Sequence, residues 1–226
     1  MKKIVQILLI AFATTSCFAL DINAVFDNQK KAAFPDTAEI IMQTTVTLPG
    51  MASQTVRTSI LTAGSDKSIT TVKSQMMNMQ IVKNGDVIRV KDLKTGKSLP
   101  SQSGLQNEPT DITSQMGKPE DYRTPVKENG LWKIVPKDDS KPVFFYSDKK
   151  RRVVKMIAKI PMNALGGVAT AETEYKYCDN SCLLPGTLSS AEIKTLMPNA
   201  QVSNVKVDVL SAKRRSNLPA ALFNVK

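Results

Sequence analysis

Between Ala38 and Leu99, apolar and polar residues alternate in a series of short runs, and each run ends at turn-forming residues. One parity of the first run carries Ile40, Met42, Thr44, Val46 and Leu48. Pro49-Gly50, Gly64–Lys67 and Asn84-Gly85 separate it from later runs at 55–61, 68–82 and 87–92. Period-two alternation bounded by Gly, Pro and Asn is typical of consecutive antiparallel strands with one buried face. This segment therefore constrains the chain to a large antiparallel sheet.

The remainder of the chain predicts more strands and a few short helices. Further strands are expected at 122–126, 131–135, 142–146, 153–160, 168–177 and 202–210. Asp21–Ala33 predicts an amphipathic helix with Asp21 as its N-cap, and the capping box Ser189–Glu192 predicts another that stops at Pro198. Residues 101–118 predict a long loop, with or without a short helix near Asp111–Met116, of the kind that forms a lid. The tail 218–225 is expected to dock on the sheet, and residues 20–226 are expected to form one domain.

Methionine and other apolar side chains recur at one parity of several strands. The ordinary interpretation is a core that packs against helices. Two short helical segments, however, supply too little mass to cover a large sheet, so we expect an apolar cavity that accepts a flexible lipophilic ligand. The predicted lining consists of Met42, Val46, Leu48, Met77, Met79, Ile81, Val143, Phe145, Val154 and Met156.

The first 19 residues resemble an export signal. Lys2-Lys3 precedes an apolar stretch at 4–13 that is too short to span a bilayer. Cys17 and Ala19 place small residues at the −3 and −1 positions, which predicts cleavage after Ala19. A lipid attached to Cys17, as in bacterial lipoproteins, is the alternative. The expected location is the periplasm.

Cleavage would leave Cys178 and Cys182 as the remaining cysteines. In an oxidising compartment, the turn chemistry of the three residues between them favours a small disulfide-closed loop. A redox-active or metal-binding pair is the alternative. Two thiols in a chain without histidine make a poor zinc site, so no metal and no cofactor are expected.

The absence of histidine also removes the usual general base of catalysis. The segment Thr95–Ser98 imitates the end of a phosphate-binding loop, but Lys91 occupies the position of the first glycine, so we interpret it as a hairpin turn. Glu172 and Glu174 share one strand face with Lys176, and a solvated face with ion pairs explains them better than a catalytic pair.

The chain is basic, with a net charge of +11. Its basic runs, Lys149–Arg152 and Lys213–Arg215, are interpreted as solvated turns. The more specific alternative is that they bind anionic lipid headgroups. Nucleic acid is not an expected partner, because aromatic residues are scarce near these runs.

The order of elements resembles the LolA-like superfamily of periplasmic lipoprotein carriers. The resemblance lies in the short helix after the leader, the strands at 38–61, and three segments: MMNMQIVKNGDVIRVKDLKTGK, FFYSDKKRRVVKMIAKI and the ending LPAALFNVK. It implies an α+β fold, in which a curved antiparallel sheet forms an unclosed half-barrel and short helices cover its concave face. It also implies a hydrophobic cavity for acyl chains and no catalysis.

The leading hypothesis is a non-enzymatic, monomeric carrier of lipid or lipoprotein acyl chains that takes part in outer-membrane lipoprotein or lipid sorting. The alternative is an envelope scaffold or sensor that binds another protein through the same sheet. Carboxylate-based lipid chemistry is a third hypothesis, which the missing histidine weakens.

Overall fold

The computed structural model describes residues 20–99, 112–162, 166–179, 184–216 and 218–224. The predicted leader with Cys17, residues 101–111 of the predicted lid and Cys182 lie outside these residues. The helices are α1 (Ile22–Lys31), α2 (Ile112–Met116) and two 3-10 turns at Pro119–Asp121 and Ala220–Phe223. The strands are β1 (Thr37–Thr47), β2 (Gln54–Ala63), β3 (Lys67–Lys73), β4 (Asn78–Asn84), β5 (Val87–Asp92), β6 (Ser98–Leu99), β7 (Val126–Glu128), β8 (Leu131–Ile134), β9 (Val143–Ser147), β10 (Arg152–Met162), β11 (Gly167–Tyr177), β12 (Leu188–Leu196) and β13 (Val202–Arg214).

All 13 strands belong to a single sheet of the order β6-β5-β4-β3-β2-β1-β13-β12-β11-β10-β9-β8-β7. Every neighbouring pair is antiparallel, and the edge strands β6 and β7 do not pair with each other. The sheet is therefore an open half-barrel, as predicted. Register shifts mark bulges in β13, β10 and β12, at Leu210, Val154 and Ser189, and such bulges bend and twist a sheet.

Because the strands are antiparallel, their turns alternate between two ends of the sheet. The turns after β2, β4 and β9 lie at the end where β1 begins, and α1 enters β1 from this side. We call it the closed end. The turns after β1, β3, β5, β10 and β12 lie at the opposite end, which we call the open end.

The helix α1 forms where the sequence predicts it. The Asp21 carboxylate accepts the Asn23 backbone N–H at 2.9 Å, which caps the first turn. Buried residues recur at Val25, Phe26 and Gln29, so one stripe of the helix faces the sheet. Burial of two large apolar side chains on this stripe stabilises the docked helix by roughly 3–6 kcal/mol.

Three predictions about secondary structure are wrong. Of the strand expected at 122–126, only Val126 belongs to a strand, β7, and Tyr122 forms an isolated bridge with Pro136. The run 68–82 is not one strand: β3 and β4 are joined by a turn, in which the Ser74 hydroxyl accepts the backbone N–H groups of Met76 and Met77 at 3.2 and 2.9 Å. The predicted helix at Ser189 is the strand β12 instead. The Ser189 hydroxyl donates to the Lys176 carbonyl at 3.0 Å, so a cross-strand bond replaces the helix cap. Pairing with both β11 and β13 outweighs the local capping signal.

The C-terminal tail docks on the convex face, as predicted for 218–225 as far as the structure describes it. Phe223 is only 1% exposed. Its carbonyl accepts the Asn84 side-chain amide at 3.2 Å, and Leu218 lies beside Leu61 and Ile69 of the convex face. The tail therefore does not cover the concave face, on which α1 and α2 pack.

Candidate functional site

A hydrogen-bonded hub fixes α1 to the closed end of the concave face. The Gln29 side chain is 3% exposed. Its amide donates to the Tyr177 hydroxyl at 3.2 Å, and its carbonyl oxygen accepts the Val153 backbone N–H at 3.1 Å. The Tyr177 hydroxyl donates to the Val153 carbonyl at 2.6 Å. These hydrogen bonds satisfy backbone groups of Val153, next to the β10 bulge, where the regular pairing between strands is interrupted. The position of α1 is therefore fixed by directional hydrogen bonds as well as by apolar packing.

Burial raises the pKa of Tyr177 from its ordinary value of 10.0 to about 12, against smaller opposing effects of the Gln29 hydrogen bond and the Arg152 charge. Because the folded state holds the proton more tightly than the unfolded state, this stability is fully present below pH 10.0 and is lost as the pH rises toward 12. We expect Tyr177→Phe to flatten the fall of the unfolding free energy between about pH 10 and pH 12, measured by urea titration. An unchanged slope in the variant would contradict this assignment.

Aromatic residues fill the concave face beside the hub. The Phe26 ring meets the Tyr122 ring edge-on at 5.9 Å, and Tyr122 meets Phe144 at 6.1 Å. The Tyr122 hydroxyl donates to the Met116 carbonyl of α2, which joins that helix to the same cluster. The protein's own side chains fill this part of the half-barrel, so it is not the place where we expect a ligand to bind.

Two residues of the predicted lining belong to this packed core. Met42 is 4% exposed and Met156 is 8% exposed. The Tyr175 hydroxyl lies 3.7 Å from the Met156 sulfur. Both side chains point to the predicted face, but they support the helix-covered region and not an empty space.

Burial decreases steadily along β1 toward the open end. Ala38 and Ile40 are 0% and 3% exposed, Thr44 and Val46 are half-buried, and Leu48 is 39% exposed. These residues share one parity and hence one face of the strand. The helical cover of the concave face therefore thins out toward the open end.

Half-buried apolar side chains from six adjacent strands line the uncovered part of this face. Val46 lies opposite Val205, Val205 lies opposite Ile193, and Val72 lies opposite Met79. All are partly accessible, whereas Phe144 and Tyr175 on the same face are buried. We call this surface the open groove, and its residues are Val46, Val56, Val72, Met79, Ile81, Ile193 and Val205.

The predicted lining therefore divides between several places. Val46, Met79 and Ile81 lie together in the open groove, and Leu48 and Met77 lie at its open end, where they are 39% and 42% exposed. Val154 sits beside the β10 bulge and is partly buried.

Val143 and Phe145 are a correction, because they lie on the convex face. Their strand neighbours Phe144 and Tyr146 are the residues that point into the core. The short apolar run is hydrophobic at both parities, so alternation alone did not distinguish its faces.

Four groove residues were not predicted: Val56, Val72, Ile193 and Val205. Ile193 was missed because its segment was interpreted as a helix. The other three follow the parity of strands recognised in the sequence, and cross-strand register from Thr44 and Val46 would have found Val56 and Val205.

The polar groups of the described residues provide little chemistry. Glu172 pairs with Lys155 at 2.7 Å on the convex face, as the ion-pair interpretation predicted. Within the ranges that the structure describes, no group of three or more potential metal ligands occurs. In the same ranges, no helix has the length and apolar character needed to cross a membrane.

Cys178 directly follows Tyr177 of the hub and is 6% exposed. It is disulfide-bonded. Its backbone N–H donates to the Thr187 carbonyl at 2.8 Å, and its carbonyl accepts the Gly186 N–H at 2.9 Å. The connector between β11 and β12 is thus anchored beside α1.

No protein-family profile and no curated protein match the sequence. Solved structures do match the fold. A LolA superfamily protein from Nitrosomonas europaea aligns with a TM-score of 0.61 at 17% identity, over 91% of this chain and 98% of its own. A putative outer membrane lipoprotein-sorting protein domain from Vibrio parahaemolyticus aligns with a TM-score of 0.55 at 11% identity, over 90% and 95% of the two chains. A DUF1329 family protein from Desulfovibrio piger aligns with a TM-score of 0.52 at 9% identity, over 90% and 97%. The chain therefore has a LolA-like fold.

Proposed function

We propose that this protein is a non-enzymatic carrier that binds an acyl chain of a lipid or lipoprotein in the open groove. The observation that carries the proposal is the contrast in burial along one continuous face. Helices and aromatic rings seal the closed end, whereas apolar side chains in the open groove remain partly exposed to water. An apolar ligand would remove this surface from water, at roughly 25 cal/mol for each Å² buried.

The groove has dimensions and chemistry that suit a chain-like ligand. It runs across β4, β3, β2, β1, β13 and β12, and five spacings of ~4.8 Å give a length of roughly 24 Å. Branched side chains and the flexible Met79 line it, with Thr44 and Thr58 hydroxyls on the same face. The apolar side chains can hold methylene groups, and the hydroxyls can bond an ester or headgroup oxygen.

A carrier role agrees with the side chains available. The chain has no histidine, and the groove residues are valine, isoleucine and methionine, which neither move protons nor act as nucleophiles. Two structural neighbours bear the names LolA superfamily protein and putative outer membrane lipoprotein-sorting protein domain, which supports a lipid or lipoprotein as cargo.

We place this function in the periplasm, with residues 1–19 as a cleaved signal peptide and a monomer as the working state. Cys178 is disulfide-bonded, and we propose Cys182 as its partner. Such a bond forms and persists in an oxidising compartment. Its position next to Tyr177 would hold the β11–β12 connector against α1 and so keep the closed end sealed.

Uptake of cis-parinaric acid, a naturally fluorescent fatty acid, by delipidated protein tests the proposal. We expect saturable binding and an increase in probe fluorescence, because the groove shields the polyene from water. Native mass spectrometry of the protein purified from its own cell envelope would identify the natural ligand and the processed N-terminus. If circular dichroism shows a folded protein that takes up no probe saturably, the carrier function is wrong and the scaffold alternative is favoured.

A further inference from the structure

Most of the exposed large apolar residues lie together at the open end of the sheet. Met51 and Met76, in the turns after β1 and β3, are 63% and 74% exposed. At the opposite, closed end, Val87 is 53% exposed, and Leu222, which is 47% exposed, lies next to Phe223, whose carbonyl bonds Asn84 at the end of β4. We call the open-end set the apolar rim, and its members are Leu48, Met51, Met76, Met77, Leu93, Ile160, Val168, Leu196 and Val202.

Local contacts hold the turns of this rim in place. A methyl group on Gly167 would lie 2.7 Å from the Pro198 side chain, so the start of β11 is packed against the turn after β12. The Lys94 ammonium donates to the Gln75 carbonyl at 3.4 Å, which links the turns after β5 and β3. These two contacts join neighbouring segments of the rim and restrict the movement of its apolar tips.

The charge of the rim has one dominant sign. The described residues of 46–55, 72–79, 91–98, 159–168 and 195–203 contain five lysines and a single carboxylate, Asp92. That carboxylate accepts the backbone N–H groups of Lys94 and Thr95 at 2.7 and 3.3 Å, so it caps its own turn. The lysines are exposed, and they are Lys73, Lys91, Lys94, Lys97 and Lys159.

We propose that the apolar rim docks on an anionic lipid bilayer, with the methionine and leucine tips in the interfacial region and the lysines on headgroup phosphates. Exposed apolar tips interleaved with cations, on a long edge, complement a negatively charged membrane surface. The rim spans nine strands from β5 to β10, or roughly 38 Å, which suits an extended surface better than a small protein pocket.

This inference rests on the proposed function and adds a route for the cargo. The rim borders the open groove, because Leu48 follows Val46 at the same parity of one chain segment and Met77 precedes Met79 in the same way. A rim seated on a membrane would bring the groove to the bilayer surface, and an acyl chain could then pass between them without crossing water.

Flotation with vesicles of phosphatidylethanolamine, with and without phosphatidylglycerol, tests the docking. We expect the protein to float with phosphatidylglycerol vesicles and to release at high salt. The double variant Met51→Asp with Met76→Asp should weaken partitioning roughly tenfold or more, because it places charges in the interface. Its matched control is Val87→Asp with Leu222→Asp, which alters exposed residues away from the rim.

The lysines are tested in the same assay. Lys73→Glu with Lys94→Glu should lower partitioning by roughly 30-fold or more, since each cation near the surface contributes about 1 kcal/mol, or a factor of about five. The control pair, Lys149→Glu with Lys150→Glu, lies in the turn after β9 at the closed end and should have little effect. A larger loss in the control pair would overturn the rim assignment in favour of the basic run 149–152.

Binding of cis-parinaric acid without vesicles separates this inference from the proposed function. Normal probe uptake by a protein that does not float overturns the docking and leaves the carrier function intact. A concentration-dependent dimer in sedimentation velocity that the methionine variant abolishes, with no change in flotation, would assign the rim to a second copy instead. Flotation that equals wild type in both rim variants would also overturn the proposal.

Discussion

Val46→Asp is expected to lower the affinity for cis-parinaric acid by roughly 100-fold or more, because it buries an unpaired charge beneath the ligand. Val46 lies in the middle of the open groove, with Val205 and Gln54 as its cross-strand neighbours. Neither neighbour can neutralise a carboxylate, so the bound state would carry the desolvation cost. In the free protein, the half-buried position lets water reach the new carboxylate, and the sheet should stay folded.

The adjacent residue provides the control. Thr45 is half-buried on the convex face, opposite Lys206. Thr45→Asp adds the same charge one residue away, where a cation and solvent stabilise it, so probe affinity should change less than about twofold. Fluorescence titration of both variants, with circular dichroism to check folding, distinguishes the faces. Equal losses in the two variants would mean that the ligand does not occupy the concave side.

Phe144→Ala is expected to lower the unfolding free energy by roughly 3–5 kcal/mol, the usual cost of removing a buried phenylalanine ring. Phe144 is 0% exposed. It lies opposite Ile134 and Met156 on the neighbouring strands and contacts the Tyr122 ring at 6.1 Å. The neighbours cannot collapse fully into the space, since they also support α1 and α2.

Phe145→Ala is the matched variant, since it deletes an identical ring from the next residue of the same strand. Phe145 is partly accessible on the convex face, with the Lys155 ammonium 5.8 Å from its ring centre. We expect a cost of only about 1 kcal/mol. Urea unfolding of the two variants measures the difference, and a cost for Phe145→Ala as large as for Phe144→Ala would show that the faces of β9 are assigned the wrong way round.

The sequence predicted the architecture well because long strands carry strong alternation. The turn at Asn84-Gly85 was recognisable from residue type, and Gly85 adopts the positive φ that such a turn requires. The N-cap at Asp21 was equally clear. Where two signals competed, as at Ser189, the local capping pattern misled, because pairing with strands distant in sequence contributes more than one cap.

The candidate site was predicted less completely, for a geometrical reason. Parity along β1 placed Val46 on the concave face, but parity cannot say how far a helix reaches over that face. Met42 and Val46 look equivalent in the sequence, yet α1 and the aromatic cluster leave one buried and the other half-buried. Val143 and Phe145 show the related problem, since a run that is apolar at both parities carries no signal for its inward face.

Residue order alone specified an open antiparallel sheet, its turns, its first helix and the lack of histidine chemistry, because these depend on neighbours within a few positions. The division of the concave face into a sealed core and an open groove required the packed structure. So did the gathering of exposed methionines and lysines on one end of the sheet. Both depend on which distant strands become neighbours and how much of the sheet a ten-residue helix can cover, and neither quantity is encoded in any local stretch of the chain.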